Sequence, residues 1–170
     1  MKDLIFIGGA KGVGKSTVID RVRQMVNISV VNTGEIYRNA TERRINPEEE
    51  IVDYLINHHL GLIDTHYTGG YSKTPNGGHF PRGLSKDNLM RIHSVKSIDF
   101  ILLDLDERDL IQRRISSKEE KYHDAWVMRK EMEMNRCYFE EYCEDLLIDG
   151  LIIRNVDITQ TTSLIVGRIR

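Results

Sequence analysis

The chain contains a glycine-rich run in which Gly9, Gly14, Lys15 and Ser16 fit the pattern G-x-x-x-x-G-K-[ST] without a gap. The apolar residues Leu4 to Ile7 before the run predict a short buried strand, and apolar residues recur at helical spacing after it. A strand, a glycine-rich turn and a helix form the context in which this pattern binds phosphate. The run therefore predicts a phosphate-binding loop between a strand and a helix.

The residue types of this loop suit phosphate binding. Glycines permit positive φ angles, so successive backbone N–H groups can turn toward phosphate oxygens, and the N-terminus of the next helix adds partial positive charge. We expect Lys15 to reach the β- and γ-phosphates of ATP and the Ser16 hydroxyl to ligate Mg²⁺. The predicted nucleotide-binding residues are Gly9, Ala10, Lys11, Gly12, Val13, Gly14, Lys15, Ser16 and Thr17.

The composition is ordinary for a soluble globular protein. Of the 170 residues, 40% are hydrophobic and 29% are charged, which is enough apolar content for one domain with a full core. The net charge of −2 and the pI near 6.3 provide no broad basic field, which argues against extensive nucleic-acid binding. A local basic patch stays possible. The glycine-rich loop, and not the composition, predicts small-molecule nucleotides as partners, while the number of subunits is left open.

The lengths of the apolar runs and the positions of the two cysteines indicate the cellular compartment of the protein. The longest aliphatic runs have about four residues, far short of the roughly 20 needed to span a bilayer, and the first of them enters the glycine-rich loop directly, unlike a secretory signal. Cys137 and Cys143 lie six residues apart on a predicted helix and so face different directions. These features predict reduced thiols and a cytoplasmic protein.

Short apolar segments alternate with longer amphipathic segments along the chain. This alternation predicts an α/β fold of three layers, in which a five-stranded parallel sheet has helices on both faces and ligands bind at the carboxyl ends of the strands. The predicted strands are Leu4 to Ile7, Ile28 to Val31, Leu60 to Ile63, Ile98 to Leu103 and Leu151 to Ile153.

Polar residues follow the later strands at the positions where a ligand site would form. They are Asn32 to Glu35, Asp64 to His66, Asp104 with Asp106, and Asn155.

Two segments interrupt the alternation. His66 to Gly83 contains five glycines and two of the three prolines and is predicted to be a long functional or mobile loop. Ser116 to Asp124 is highly charged and precedes a predicted amphipathic helix from Ala125 to Leu147, whose apolar stripe should pack in the core. Asn135 and Arg136 interrupt that stripe, either at the end of the core or because they turn toward bound phosphate.

Taken together, these motifs resemble nucleoside monophosphate kinases, and among them the archaeal adenylate kinase family most closely. The segments that carry the resemblance are the glycine-rich loop, Thr33 to Arg38, Asp64-Thr65-His66 and the run Leu102 to Arg114, in this order over nearly the whole chain. The resemblance implies a P-loop kinase fold in one domain over residues 1–170, with a lid-like segment at about 116–124. It also implies transfer of a phosphoryl group from ATP, with Mg²⁺, to a nucleoside monophosphate such as AMP.

The resemblance implies roles for residues near the acceptor. Thr33, Gly34 and Arg38 would form the acceptor pocket, with the planar guanidinium gripping the monophosphate, although Arg38 could equally be a solvated helix residue. Asp64 would orient Mg²⁺ directly or through water, or it would cap a helix or turn at the end of the strand. His66 would abut the site or serve as a hydrogen-bonded structural residue.

Three arginines would surround the transferring phosphoryl group in this resemblance: Arg113, Arg114 and Arg136. For Arg113 a helical ion pair with Asp109 is the alternative.

The chain departs from the family pattern at several positions. Lys11 replaces a frequent proline, Lys118 and Lys121 stand where the family lid has arginines, and Arg82 occupies a position that is usually Pro-Gly. Arg82 is therefore either a compensating phosphate ligand or a surface residue. We expect Arg114 and Arg136 to carry most of the transition-state charge, because a lysine cannot form a planar fork with phosphate oxygens.

Three functions are compatible with the sequence: a nucleoside monophosphate kinase, a kinase for small-molecule hydroxyls, and a nucleotide-dependent switch or assembly factor. A hydroxyl acceptor must lose its proton, and such enzymes usually place an Asp after the second strand, where this chain has Thr33-Gly34-Glu35. That segment suits capture of an acceptor phosphate by Arg38 better than deprotonation of an acceptor hydroxyl. A GTPase switch is disfavoured because N-K-x-D is absent and no D-x-x-G follows the third strand.

Overall fold

A computed structural model describes residues 2–57, 61–70, 72–74, 77–116 and 124–170. The elements in chain order are β1 (Leu4–Gly8), α1 (Lys15–Met25), β2 (Ser29–Asn32), α2 (Thr33–Glu42), α3 (Pro47–Asn57), β3 (Gly61–Asp64), β4 (Ser72–Thr74), β5 (Gly77–His79), α4 (Lys86–His93), β6 (Ile98–Asp104), α5 (Glu107–Ser116), α6 (Ala125–Leu146), β7 (Leu151–Arg154) and α7 (Ile158–Ile169).

Five strands form one parallel sheet in the order β2-β3-β1-β6-β7. All five residues of β1 are buried, because this central strand has helices on both faces, and this explains why it reads as a continuous apolar run. The polar residues that follow the strands thus gather at one edge of the sheet.

The side chains of β1 alternate between two cores. Phe6 packs on one face with residues of α3, α4 and α6, whereas Ile5 and Ile7 pack on the other face with residues of α1 and α7. The three-layer α/β architecture predicted from the sequence is therefore confirmed.

The predicted strands agree with the observed strands to within one or two residues, but two other expectations need correction. The segment predicted as a long loop contains a short antiparallel hairpin, β4 with β5, and a bridge between Thr68 and Arg82 brings its ends together. Ala125, predicted to lie on the apolar stripe of the long helix, is exposed, whereas Phe139 and Tyr142 are buried as expected.

Two further expectations concern location. None of the helices in the described part of the chain is both long and apolar enough to cross a membrane. Cys137 and Cys143 are free.

The central part of the predicted lid, with Lys118 and Lys121, lies outside the described residues.

Candidate functional site

The glycine-rich run forms the turn between β1 and α1 that the pattern predicts. Gly9, Gly12 and Gly14 have φ angles of 145°, 87° and 94°, which side chains rarely adopt, and Gly14 is the N-cap residue of α1. A Cβ atom at Gly9 would collide with the backbone oxygen of Leu103. The loop therefore requires glycine both for its conformation and for its close approach to β6.

The loop is anchored by its own apolar residues. The side chains of Ala10 and Val13 are buried in the core beneath the loop, 3% and 1% exposed, so these residues can offer only their backbone to a ligand. The loop residues that face the cleft are Lys11, Gly12 and Gly14 to Thr17, and Ser16 and Thr17 are exposed there at the start of α1. Such a helix start presents unpaired N–H groups to an anion.

Lys15 is buried, and its Nζ donates to the backbone oxygen of Gly9 at 3.0 Å. Burial lowers the pKa of Lys15 to about 8, although the carboxylates of Asp64 and Glu131 partly oppose this shift. The ammonium group is thus held beside the loop in a position where phosphate would strongly favour its charged form.

Asn155 and Arg113 support the loop from behind. Asn155 Nδ2 donates to the backbone oxygen of Val13 at 2.6 Å, while Arg113 Nη1 and Nη2 donate to the backbone oxygens of Val13 and Asn155 at 3.3 and 3.0 Å. Neither alternative foreseen for Arg113 describes this arrangement. It hydrogen-bonds two carbonyls and does not line the main cleft.

A closed ring of hydrogen bonds holds the opposite side of the loop. Glu131 Oε1 accepts the backbone N–H of Lys11 at 2.7 Å, Glu131 Oε2 accepts Arg114 Nη2 at 2.6 Å, and Arg114 Nε donates to the backbone oxygen of Lys11 at 2.7 Å. Arg114 and Glu131 have side chains only 4% and 10% exposed. The ring therefore ties α5 and α6 to the glycine-rich loop through a buried ion pair.

The main cleft lies in front of the loop, at the carboxyl edge of the sheet, and has a volume of about 580 Å³. Residues that approach it from four segments of the chain are Lys11, Gly12, Gly14, Lys15, Ser16, Thr17, Asn32, Gly34, Arg38, Asp64, Thr65, His66 and Arg114. The cleft thus unites the loop with the segments that follow β2 and β3, as the topology of a parallel sheet requires.

Asp64 and Ser16 supply oxygen atoms that suit Mg²⁺. Asp64 ends β3 beside the loop and is half-buried, and burial raises its pKa above the usual value while the Lys15 ammonium opposes the shift. Carboxylate and hydroxyl oxygens are the ligands that Mg²⁺ takes alongside substrate phosphates and water. Among the residues that the structure describes, no cluster of three or more His, Cys, Asp or Glu side chains could hold a metal.

Arg38 and Thr33 have different surroundings although both lie on α2. Arg38 is exposed at the cleft and makes no hydrogen bond or ion pair with any residue of the described ranges. Thr33 is buried, and its hydroxyl donates to Thr65 Oγ1 at 3.0 Å, so it joins the ends of β2 and β3. Asn32 and Gly34, rather than Thr33, face the cleft.

His66 lies next to Lys15 at the floor of the cleft. Nζ of Lys15 is 3.5 Å from Nδ1 and 3.4 Å from Nε2 of His66. His66 is exposed to solvent in part, and desolvation by the surrounding protein and then the Lys15 ammonium lower its pKa to about 3. The imidazole is therefore neutral at pH 7.

Asn135 fixes the backbone that carries His66. Asn135 Oδ1 accepts the backbone N–H of Tyr67 at 3.1 Å, and its Nδ2 donates to Thr68 Oγ1 at 3.3 Å. The Tyr67 hydroxyl donates to the backbone oxygen of Ile101 at 2.8 Å between strands of the sheet. Asn135 is thus neither an accident at the end of the core nor a lining residue of the cleft, because it positions the segment after β3.

Two of the predicted site arginines lie elsewhere. Arg82 is ion-paired with Asp145 at 2.9 Å and Glu141 at 3.4 Å, and its guanidinium lies 4.3 Å from the centre of the Tyr142 ring. Arg136 is half-exposed and ion-paired with Asp104. Neither lines the main cleft. Arg82 is partly buried and ion-paired, so the surface alternative does not describe it, and phosphate-binding roles for Arg82 and Arg136 stay predictions.

Glu131 and Asn32 are the site residues whose roles the sequence did not suggest. Glu131 sits in an ordinary helical pattern, and its partner Lys11 is 120 residues away. Asn32 was recognisable as a polar residue after a strand, and its position next to Asp64 follows only from strand pairing.

No model of a protein family matches the sequence, and no curated protein matches it. Solved structures are similar to it. YorR from Bacillus subtilis, in complex with phosphorylated GDP, has a TM-score of 0.69 and 14% identity, over 98% of this chain and 95% of that chain.

Two kinases of other substrates are also similar. Shikimate kinase from Aquifex aeolicus has a TM-score of 0.57 and 14% identity, over 97% of this chain and 94% of that chain. A gluconokinase from Sinorhizobium meliloti has a TM-score of 0.56 and 10% identity, over 98% and 93%. At these identities the likeness establishes the fold, which is that of P-loop kinases, and it does not single out adenylate kinases.

Proposed function

We propose that this protein transfers the γ-phosphoryl group of ATP to a nucleoside monophosphate, with AMP as the acceptor. The main support for the proposal is the excess of positively charged side chains in the main cleft. Asp64 is the one acidic residue among the described residues that line it. Its cationic lining residues are Lys11, Lys15, Arg38 and Arg114, of which Arg114 is ion-paired with Glu131. A cleft with this excess of positive charge suits two substrates that both carry phosphates.

The donor would bind at the glycine-rich loop. The backbone N–H groups at the start of α1 would hold its phosphates, and Lys15 would pair with the β- and γ-phosphates as negative charge develops between them. Ser16 and Asp64 would hold Mg²⁺, which when bound neutralises charge on the phosphate oxygens.

The acceptor would bind through its phosphate at Arg38. An oxygen of the acceptor phosphate forms the new bond to the γ-phosphorus, while the bond from the γ-phosphorus to the bridging oxygen breaks and ADP leaves with that electron pair. The second pKa of a phosphate monoester is near 6, so the acceptor is a dianion at pH 7 and needs no general base. Arg38 suits this role because its guanidinium has no protein partner among the described residues.

A hydroxyl acceptor is the second candidate, since two of the similar structures are a shikimate kinase and a gluconokinase. Asp64 lines the cleft with a pKa raised by burial, as a general base would need. Against this candidate, the residue that ends β2 is Asn32, whose amide cannot accept a proton from a hydroxyl. The choice of AMP rests on the resemblance of the motifs to archaeal adenylate kinases.

A panel of acceptors decides between these functions. Purified protein is incubated with ATP and Mg²⁺ and with AMP, GMP, CMP, UMP, shikimate or gluconate, and formation of diphosphates or phosphate esters is followed. Diphosphate formed from AMP supports the proposal. Phosphorylation of shikimate or gluconate alone would refute it, and nucleotide binding without turnover on any acceptor would favour a switch or assembly factor.

The variant Lys15→Ala tests whether this cleft is the active site. Turnover should fall at least about a hundredfold, because the Lys15 charge follows the phosphates into the transition state. Lys130→Ala is the matched control, since Lys130 forms a surface ion pair with Glu133 on α6, at 3.1 Å, and does not line the main cleft. Near-normal turnover by Lys15→Ala would place the chemistry elsewhere.

A further inference from the structure

One hydrogen-bond donor and one hydrogen-bond acceptor hold the side chain of Asn32 in a single orientation. Its Oδ1 accepts the backbone N–H of Glu35 at 3.0 Å and so caps α2, while its Nδ2 donates to Oδ2 of Asp64 at 3.2 Å. The cap needs an acceptor, and the carboxylate needs a donor. An amide meets both needs at once.

Strand pairing creates this contact. Asn32 and Asp64 are the last residues of β2 and β3, and they are register partners in the parallel pair. Both side chains line the cleft that also contains Arg38 and Lys15. Any charge at residue 32 would therefore act directly on an anion bound in that cleft.

Capping alone does not explain why residue 32 is an amide. Aspartate caps a helix about as well as asparagine, and its charge would interact favourably with the helix N-terminus. An aspartate at this position would, however, set two carboxylates side by side, where each disfavours the charge of the other. It would also double the number of acidic residues among the described lining residues of the cleft, where Asp64 now stands alone.

We propose that Asn32 sets the charge preference of the acceptor site. Its neutral amide lets a dianionic phosphate monoester bind beside Asp64, whereas a carboxylate at the same position would repel that acceptor. This inference rests on the proposed function, in which Arg38 captures the phosphate of a nucleoside monophosphate. It identifies Asn32 as a specificity-determining residue that acts through charge and does not take part in the bond-making step.

The variant Asn32→Asp tests the charge with almost no change in shape. Asn46→Asp is the matched control, because Asn46 Oδ1 accepts the backbone N–H of Glu48 at 3.0 Å near the start of α3 and does not line the main cleft. Each protein is saturated with Mg²⁺ and a non-hydrolysable ATP analogue and then titrated with AMP, GMP, CMP and UMP by calorimetry. Thermal unfolding checks that the variants are folded.

Asn32→Asp should weaken binding of the monophosphate at least about tenfold, because an added charge in a cleft acts strongly on a nearby dianion. Its affinity for the ATP analogue should change less than about threefold, since Lys15 and the loop backbone dominate that site. Asn46→Asp should change neither affinity beyond about twofold, as expected for an exposed charge screened by solvent.

Asn32→Ser separates charge from hydrogen bonding. Serine caps a helix and carries no charge, so monophosphate affinity should stay within about threefold of the parent. The inference is overturned if Asn32→Ser weakens binding as much as Asn32→Asp, or if Asn46→Asp does so.

Failure of the proposed function can be distinguished from failure of the inference about Asn32. A parent that binds AMP without phosphorylating it would refute the proposed function, while the ratio between parent and Asn32→Asp would still judge Asn32. A parent that binds none of the monophosphates would overturn both.

Discussion

Replacing Glu131 by alanine should destabilise the protein by about 3–5 kcal/mol, because it breaks a buried ion pair and leaves its partner charge in place. The partner is Arg114, whose side chain is 4% exposed and whose Nη2 lies 2.6 Å from Glu131. The same change removes the acceptor for the backbone N–H of Lys11 at 2.7 Å. Both the ion pair and the hydrogen bond to Lys11 are lost with the same carboxylate. We therefore use the free-energy range for one broken buried ion pair as the whole effect and add no separate contribution for the hydrogen bond.

Urea and thermal unfolding measure this effect. For a chain of 170 residues, each kcal/mol shifts Tm by about 2–4 °C, so the expected fall is about 6–20 °C. Glu133→Ala is the control on the same helix, because Glu133 is 62% exposed and its ion pair with Lys130 lies at the surface. That variant should lose no more than about 0.5 kcal/mol.

Replacing both partners separates the ion pair from simple packing. The double variant Glu131→Leu with Arg114→Met removes both charges together and should recover part of the lost stability, as apolar replacements of buried pairs often do. The recovery should be incomplete, because the backbone N–H and oxygen of Lys11 lose these two partners. If Glu131→Ala is as stable as Glu133→Ala, or if the effects of changing Glu131 and Arg114 simply add, the ring of hydrogen bonds does not stabilise the loop.

Three further predictions concern the cleft. Binding of ATP at pH 8 should take up about half a proton, less toward pH 6 and more toward pH 9.5, because burial lowers the pKa of Lys15 to about 8 and bound phosphate restores its charge. Calorimetry in buffers of different ionisation enthalpy measures the proton uptake. Lys15→Arg should abolish this uptake, and its absence in the parent would contradict the lowered pKa of Lys15. Arg38→Ala should raise KM for the monophosphate by about 10- to 150-fold and KM for ATP far less, whereas equal effects would place Arg38 at the donor. Asp64→Asn should raise the Mg²⁺ requirement and lower turnover without loss of fold. Because burial raises the pKa of Asp64 in the metal-free protein, a fall in pH should raise the Mg²⁺ requirement of the parent but not that of Asp64→Asn. Superimposed Mg²⁺ titrations of the two proteins would make Asp64 structural.

The features that the sequence predicted correctly depend on local patterns. β1 is apolar at every position because both faces of a central parallel strand are covered, and the glycines of the loop are required by their own backbone angles. The hairpin of β4 and β5 was missed because its strands have three residues each, too few for a periodic signal.

The arginines show why the site was only partly predictable. Arg113 and Arg114 are consecutive in the sequence, yet Arg113 supports the loop from behind and Arg114 faces the cleft, because neighbouring residues on a helix point about 100° apart. Arg82 was attractive as a phosphate ligand, but Asp145 and Glu141 on α6 neutralise it. Such pairings depend on which helix packs against which loop, and periodicity does not determine that.

Helix α6 connects the two sides of the cleft, although no phosphate-binding motif lies on it. Glu131 holds the backbone N–H of Lys11 in the glycine-rich loop, and Asn135, four residues later on the same helix face, holds the backbone N–H of Tyr67 after β3. The distance between the loop and His66 is therefore fixed by one rigid helix. Because this helix faces both the donor loop and the segment that carries His66, a displacement of α6 would alter the surroundings of Lys15 from two directions at once.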